Sequence, residues 1–137
     1  MIGKVTAAQK HISNSHVFGP GLWWSLHIDS INIINSEDAE YYIKTTNRKL
    51  ASIPCQECRN HALDYLSKNP VTKYNALEEG YFRWGWEFHN TVNRRLGKVE
   101  LTYDEAKMIY VNPMYCTGDC GSTSKGIIIK PYIKYGK

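Results

Sequence analysis

Long apolar runs are missing from this chain. The longest near the C-terminus is Ile127-Ile128-Ile129, far short of the roughly 20 residues a helix needs to cross a bilayer. The first ten residues, Met1 to Lys10, contain no apolar stretch of the signal-peptide kind. Both absences point to a protein made and kept inside a cell, with no membrane span. Internal repeats and low-complexity tracts are also absent, so the chain is not a repeat array. Strand patterning is confined to Gly126–Tyr135. Cysteine is scarce, with four residues in two close pairs, Cys55/Cys58 and Cys116/Cys120. In an intracellular setting that count does not make a structural disulfide scaffold. It points to catalytic, redox-active or metal-binding sulfur.

What is present fits one domain. The chain has 137 residues, 42% of them hydrophobic, enough for a single sizeable core. Ten tyrosines and four tryptophans serve an ordinary core, and they can also wall a pocket for a flat cofactor. The net charge of +4 is mild, and much of it lies at the end, in Lys125, Lys130, Lys134 and Lys137. Such a run reads as a solvated basic tail, and no nucleic-acid partner is expected.

Helical signals follow one another along the chain. Residues 1–19 are polar and read as a loop, and Pro20-Gly21 punctuate the entry to a first helix. That helix carries Leu22, Trp23, Leu26, His27, Ile31 and Ile34 at helical spacing. Ser36 with Glu37 and Asp38 starts a second helix, running to about Ala51. Pro54 opens a third, which Asn69-Pro70 stops. Asn75 with Glu78 resembles a capping pair for a fourth helix that runs to Leu96, with Gly97 as its stop. Gly80 and Gly85 weaken it locally. Thr102 with Glu105 is a second capping pair, introducing a short helix that Asn112-Pro113 ends. The expected architecture is all-α: a four-helix bundle plus a short fifth helix. Three parts are expected: a flexible N-terminal segment 1–18, a helical domain 19–113, and a flexible tail 114–137 holding the second cysteine pair.

Chemistry concentrates in three stripes. A CxxC at a helix start, here Cys55-Gln56-Glu57-Cys58, sets one thiol beside free backbone N–H groups and the positive end of the helix dipole. Both favour the thiolate. The alternative is half of a zinc site completed by Cys116 and Cys120, although CxxxC in a tail is poorly spaced for a rigid tetrahedron. A thioredoxin-like setting needs a βαβ unit around the motif, and none is visible. In the fourth helix, Trp86, His89, Asn90 and Asn93 share a face. Three polar groups together need partners, either an internal ligand or solvent. Trp23 and His27 share a face of the first helix; Cys58, His61 and Tyr65 line a stripe of the third. If the stripes converge, they form a pocket between helices.

These residues match a known pattern. Trp23-x-x-Leu26-His27, Pro54-Cys55-x-x-Cys58-x-x-His61 and His89-Asn90-x-Val92-Asn93-x-x-Leu96-x-Lys98 resemble the Erv/ALR sulfhydryl oxidases. The likeness runs from about Gly19 to Tyr110. Trp84-x-x-x-Phe88-His89-Asn90 most resembles the small enzymes of large cytoplasmic DNA viruses, so a host-cytoplasmic or virion location is expected. The resemblance implies a homodimeric helical bundle holding non-covalent FAD. It implies oxidation of protein dithiols to disulfides, with molecular oxygen reduced to hydrogen peroxide. Carried over, Cys58 is the flavin-proximal sulfur and Cys55 the one that meets the incoming dithiol. Gly19, Trp23, His27, Cys58, His61, His89, Asn90, Val92, Asn93 and Lys98 fall where relatives contact FAD. Cys116–Cys120 is the candidate shuttle pair. Trp86 stands where many relatives have a cysteine of a structural disulfide, so packing must replace that brace here.

Overall fold

Residues 14–111 are described by a computed structural model, and five α-helices run through them. They are α1 (Ser15–Ile31), α2 (Ser36–Ala51), α3 (Gln56–Lys68), α4 (Gly80–Arg95) and α5 (Tyr103–Tyr110). The described residues hold no strand and no helix long and apolar enough to cross a membrane. Cys116, Cys120 and the strand-like stretch 126–135 lie outside them.

The first helix begins a full turn ahead of the expected entry, so residues 15–19 are not a loop. Asn14 is its N-cap, its side chain taking the His16 N–H at 2.9 Å. A capping asparagine satisfies one of the otherwise free N–H groups of a first turn. Phe18 in that turn packs against the core. Pro20 therefore stands inside α1, where its ring has no N–H to give the preceding turn. The second helix has the bounds read from its acidic start, with Asn35 capping through the Asp38 N–H at 2.8 Å.

The entry to α4 differs from the expected one. Asn75 does cap, but it caps a 3-10 turn over Ala76–Glu78, accepting the Leu77 N–H at 3.1 Å. The chain then passes through Glu79 at φ 58° before α4 starts. Gly80 closes this turn by donating to the Asn75 carbonyl at 2.9 Å. A Cβ on Gly80 would fall 2.2 Å from that same oxygen, so only glycine fits.

The far end of α4 stops as expected. Gly97 adopts φ 69°. Its N–H reaches the Arg94 carbonyl at 3.2 Å, and Lys98 N–H reaches Asn93 at 2.8 Å. This is a Schellman pattern, available because glycine carries no Cβ penalty at positive φ. The capping pair Thr102/Glu105 is present in both directions at the start of α5.

The core gathers around α4. Phe82, Trp84, Leu26 and Leu50 are fully buried, each burial worth about 1.5–3 kcal/mol or more by apolar area. Trp84 donates its indole N–H to the Asn69 carbonyl at 2.7 Å, tying α4 to the end of α3. The Tyr42 hydroxyl donates to the Leu26 carbonyl at 3.2 Å, tying α2 to α1. Side chains of α1, α3, α4 and α5 wall a cavity.

Candidate functional site

A cavity of about 390 Å³ opens between α1, α3, α4 and α5. From α1 come His16, Phe18, Gly19 and Trp23; from α3, Cys58 and Ala62. Phe88, His89, Val92 and Asn93 come from α4, Lys98 from the turn after it, and Tyr110 from α5. Gly19 is buried, yet a Cβ built on it would meet nothing within 4 Å. It faces empty space that any larger side chain would fill.

One wall is aromatic and flat. The Trp23 and His89 rings stack 3.9 Å apart at 6°, and Phe88 lies 5.0 Å from Trp23. Behind His89 lies His27, fully buried, with its Nε2 3.0 Å from His89 Nδ1. Tyr110 stacks on His27 at 4.1 Å. Gly85 lets α4 approach His27 closely, since a Cβ there would already sit 3.4 Å from its Nδ1. Burial, with His89 beside it, pushes His27 down to about 3; burial, with Lys98, pushes His89 down to about 4. Both rings are neutral at pH 7. The wall thus offers hydrogen-bonding edges without charge, while Lys98 and Arg95 supply positive charge at the cavity. Asn93 is buried and lines the cavity, where its side-chain amide carries both a donor and an acceptor that a ligand can meet.

The dithiol stands at the edge. Cys55 is the N-cap of α3, and its sulfur takes the Cys58 N–H at 3.2 Å. The sulfur that meets the free N–H groups of the helix start is therefore Cys55. Cys58 lies one turn in and lines the cavity, which Cys55 does not. Both are free thiols and half-buried. Burial pushes the Cys58 thiol up, and Cys55 adds to this through a hydrogen bond and its charge; Arg95 acts in the opposite sense. Arg59 donates to the Ile53 carbonyl at 2.9 Å, pinning the loop ahead of the motif.

The Erv1/Alr family model matches residues 20–111, which contain the dithiol, the stacked wall and most of the cavity lining; Ser15, His16, Phe18 and Gly19 lie just ahead of it. The chain belongs to the Erv1/Alr family. It is 36% identical over 109 residues to an FAD-linked sulfhydryl oxidase of African swine fever virus, covering 77% of this chain and 90% of that protein. It is 37% identical over 71 residues to a probable FAD-linked sulfhydryl oxidase of Acanthamoeba polyphaga mimivirus, about half of each chain. An FAD-linked sulfhydryl oxidase of Arabidopsis thaliana is 41% identical over 46 residues, 34% of this chain and 23% of that one.

Set on this Erv1/Alr fold, the expected site residues divide. Gly19, Trp23, Cys58, His89, Val92, Asn93 and Lys98 line the cavity; His27, His61 and Asn90 do not. His61 is exposed on α3. Asn90 is committed elsewhere: its Nδ2 donates to the Leu101 carbonyl at 2.6 Å and its Oδ1 accepts the Leu101 N–H at 2.9 Å. The Trp86 indole N–H donates to the same carbonyl at 2.7 Å. Half of the polar face on α4 is thus satisfied by backbone, not by a ligand. Residues missed at the level of sequence include His16, Phe18, Arg95 and Tyr110. The Asn14 cap was the signal for the first two. Nothing in its spacing marked Tyr110, whose place follows from how α5 is pinned.

Proposed function

We propose that this chain is an FAD-linked thiol oxidase that forms disulfides in protein substrates. The observation that carries it is the split between the two sulfurs: Cys58 lines the same cavity as the Trp23–His89 stack, and Cys55 does not. A flat group suits that stack, and Gly19 leaves room for close approach. Asn93 and the neutral His89 imidazole offer hydrogen bonds to a heteroaromatic ring system. Lys98 and Arg95 suit a pyrophosphate.

When bound, FAD supplies the two-electron acceptor that oxygen later restores, yielding hydrogen peroxide. The protein's own part is thiol–disulfide exchange. A substrate thiolate attacks Cys55 of the Cys55–Cys58 disulfide, and Cys58 leaves as thiolate. The second substrate thiol then attacks the mixed disulfide at the substrate sulfur and releases Cys55. The substrate leaves oxidised, and Cys55 and Cys58 hold the two electrons as a dithiol. Re-forming the Cys55–Cys58 bond delivers those electrons on the cavity side, where Cys58 stands. The raised pKa of the half-buried Cys58 thiol lowers the fraction ionised, and the stronger nucleophilicity of the resulting thiolate offsets this only in part.

Cys116 and Cys120 are proposed to relay electrons from substrate to this pair, within one chain or across a homodimer, in the cytoplasm. The named relatives are FAD-linked sulfhydryl oxidases, which gives the zinc alternative no support; its second cysteine pair lies outside the described residues.

The visible spectrum of the purified chain tests the reading, with Cys58→Ser beside it. The expected result is a yellow protein whose Cys58→Ser variant keeps its flavin and loses turnover. A colourless chain that takes up no added FAD overturns it.

A further inference from the structure

His27 takes no part in the exchange chemistry, yet it is a polar side chain with no exposed surface. Its Nε2 meets His89 Nδ1 at 3.0 Å, while its own Nδ1 has no hydrogen-bond partner among the described residues. Tyr110 stacks on it at 4.1 Å, Phe82 tilts against it at 5.4 Å, and α4 meets Nδ1 with Gly85.

Two neutral arrangements are compatible with the 3.0 Å contact. In one, His27 donates its Nε2–H and leaves Nδ1 as a bare lone pair. In the other, His89 donates from Nδ1, and His27 must carry its proton on Nδ1. That N–H would be buried on the side of Gly85 with no acceptor among the described residues. Buried N–H groups without acceptors are rare and expensive, whereas a lone pair facing a C–H is tolerated. An imidazolium in either ring is excluded at neutral pH by the burial described above. The first arrangement remains. His89 then accepts at Nδ1 and must hold its own proton on Nε2, at the opposite edge of the ring. No described residue takes that N–H, and His89 forms part of the cavity wall.

We propose that His27 is a positioning residue that fixes His89 as an Nε2–H donor, so that the cavity selects a flat ligand presenting a hydrogen-bond acceptor there. A ring nitrogen or carbonyl oxygen of a heteroaromatic meets this demand; a ring N–H at the same place is rejected. Only the choice of FAD as the ligand rests on the proposed function; the tautomer stands on the contacts of His27 alone.

The experiment is long-range ¹H–¹⁵N NMR of the histidine side chains in the full chain at pH 7. His27→Gln and His89→Gln assign the two rings, and FAD is the titrated probe. In the wild type, both rings should show a protonated Nε2 and a bare Nδ1. His27→Gln keeps an amide donor and should leave His89 on Nε2–H, with FAD affinity within about threefold. His27→Leu removes the donor; His89 should lose its single tautomer, and FAD should bind roughly tenfold more weakly, the loss of one good hydrogen bond. A wild-type His89 protonated on Nδ1 overturns the proposal, as does a folded His27→Leu chain with His89 unchanged. If His27→Leu does not fold, the wild-type and His27→Gln spectra decide. A chain that takes no FAD at all defeats the proposed function and leaves the tautomer result to be read by itself.

Discussion

Asn90 holds the backbone of Leu101 from both sides, giving its Nδ2–H to the carbonyl at 2.6 Å and taking the N–H on its Oδ1 at 2.9 Å. Leu101 precedes the Thr102 cap of α5, and α5 ends in Tyr110, which lines the cavity and stacks on His27. A side chain on α4 therefore sets where the last aromatic of the wall stands.

Asn90→Ala should cost about 2 kcal/mol, because it strands a partly buried N–H. Its melting temperature should fall by roughly 10 °C. Trp86→Phe removes the second donor to the Leu101 carbonyl. The two losses should not add, since both act on one group. Thermal melts of the two single variants and the double variant measure the coupling; simple additivity would remove the shared-brace account.

Gly19 gives substitutions of opposite sign for stability and binding. Inside α1, Gly19→Ala should raise the stability of the ligand-free chain by about 0.5–1 kcal/mol through helix propensity. Gly19→Leu fills the space a ligand would occupy, and its FAD affinity should drop at least roughly tenfold. Melting curves without FAD and equilibrium dialysis with it separate the two effects. Undiminished binding by Gly19→Leu would place the ligand elsewhere.

Acid should destabilise this fold through its histidines. His27 and His89 hold folded pKa values of about 3 and about 4, below the unfolded value of roughly 6.5. Between those values the unfolded chain binds protons that the folded chain refuses, so stability is full above about pH 6.5 and drains away as pH falls toward 4. The melting temperature should decline across that window by roughly 5 °C or more. His27→Gln should flatten the decline relative to wild type. An identical slope in both would show that carboxylates, not this pair, carry the acid sensitivity.

The cysteine relay predicts a split between substrates. Cys116→Ser should slow oxidation of a reduced protein by about tenfold or more and leave a small dithiol, which reaches Cys55 directly, within about twofold. Oxygen consumption with each substrate reads this out. Equal loss on both would remove the relay assignment.

Much of this was legible in the residues, and the parts that were not share a cause. The second helix was readable to its ends because Ser36, Glu37 and Asp38 are all local signals. The α5 capping box and the Gly97 stop were readable for the same reason. The start of α4 was misplaced because Asn75 and Glu78 satisfy a cap pattern that the chain uses on a 3-10 turn; Glu79 at φ 58° then breaks the path. Asn90 carried no mark of its real partner, a backbone group eleven residues on. His27 and His89 were each marked as a histidine sharing a helix face with a tryptophan. That one stands behind the other depends on how closely Gly85 lets two helices approach, and spacing along a chain cannot express that distance.

The brace at Leu101 is built from an amide, an indole and a peptide group, with no sulfur in it. Reducing agents act on disulfides and leave such contacts alone. A catalyst that spends its working life in contact with thiols thus keeps its described scaffold in a chemical language its substrates do not speak. Saturating dithiol, which reduces the Cys55–Cys58 disulfide at every turnover, should leave the helices standing.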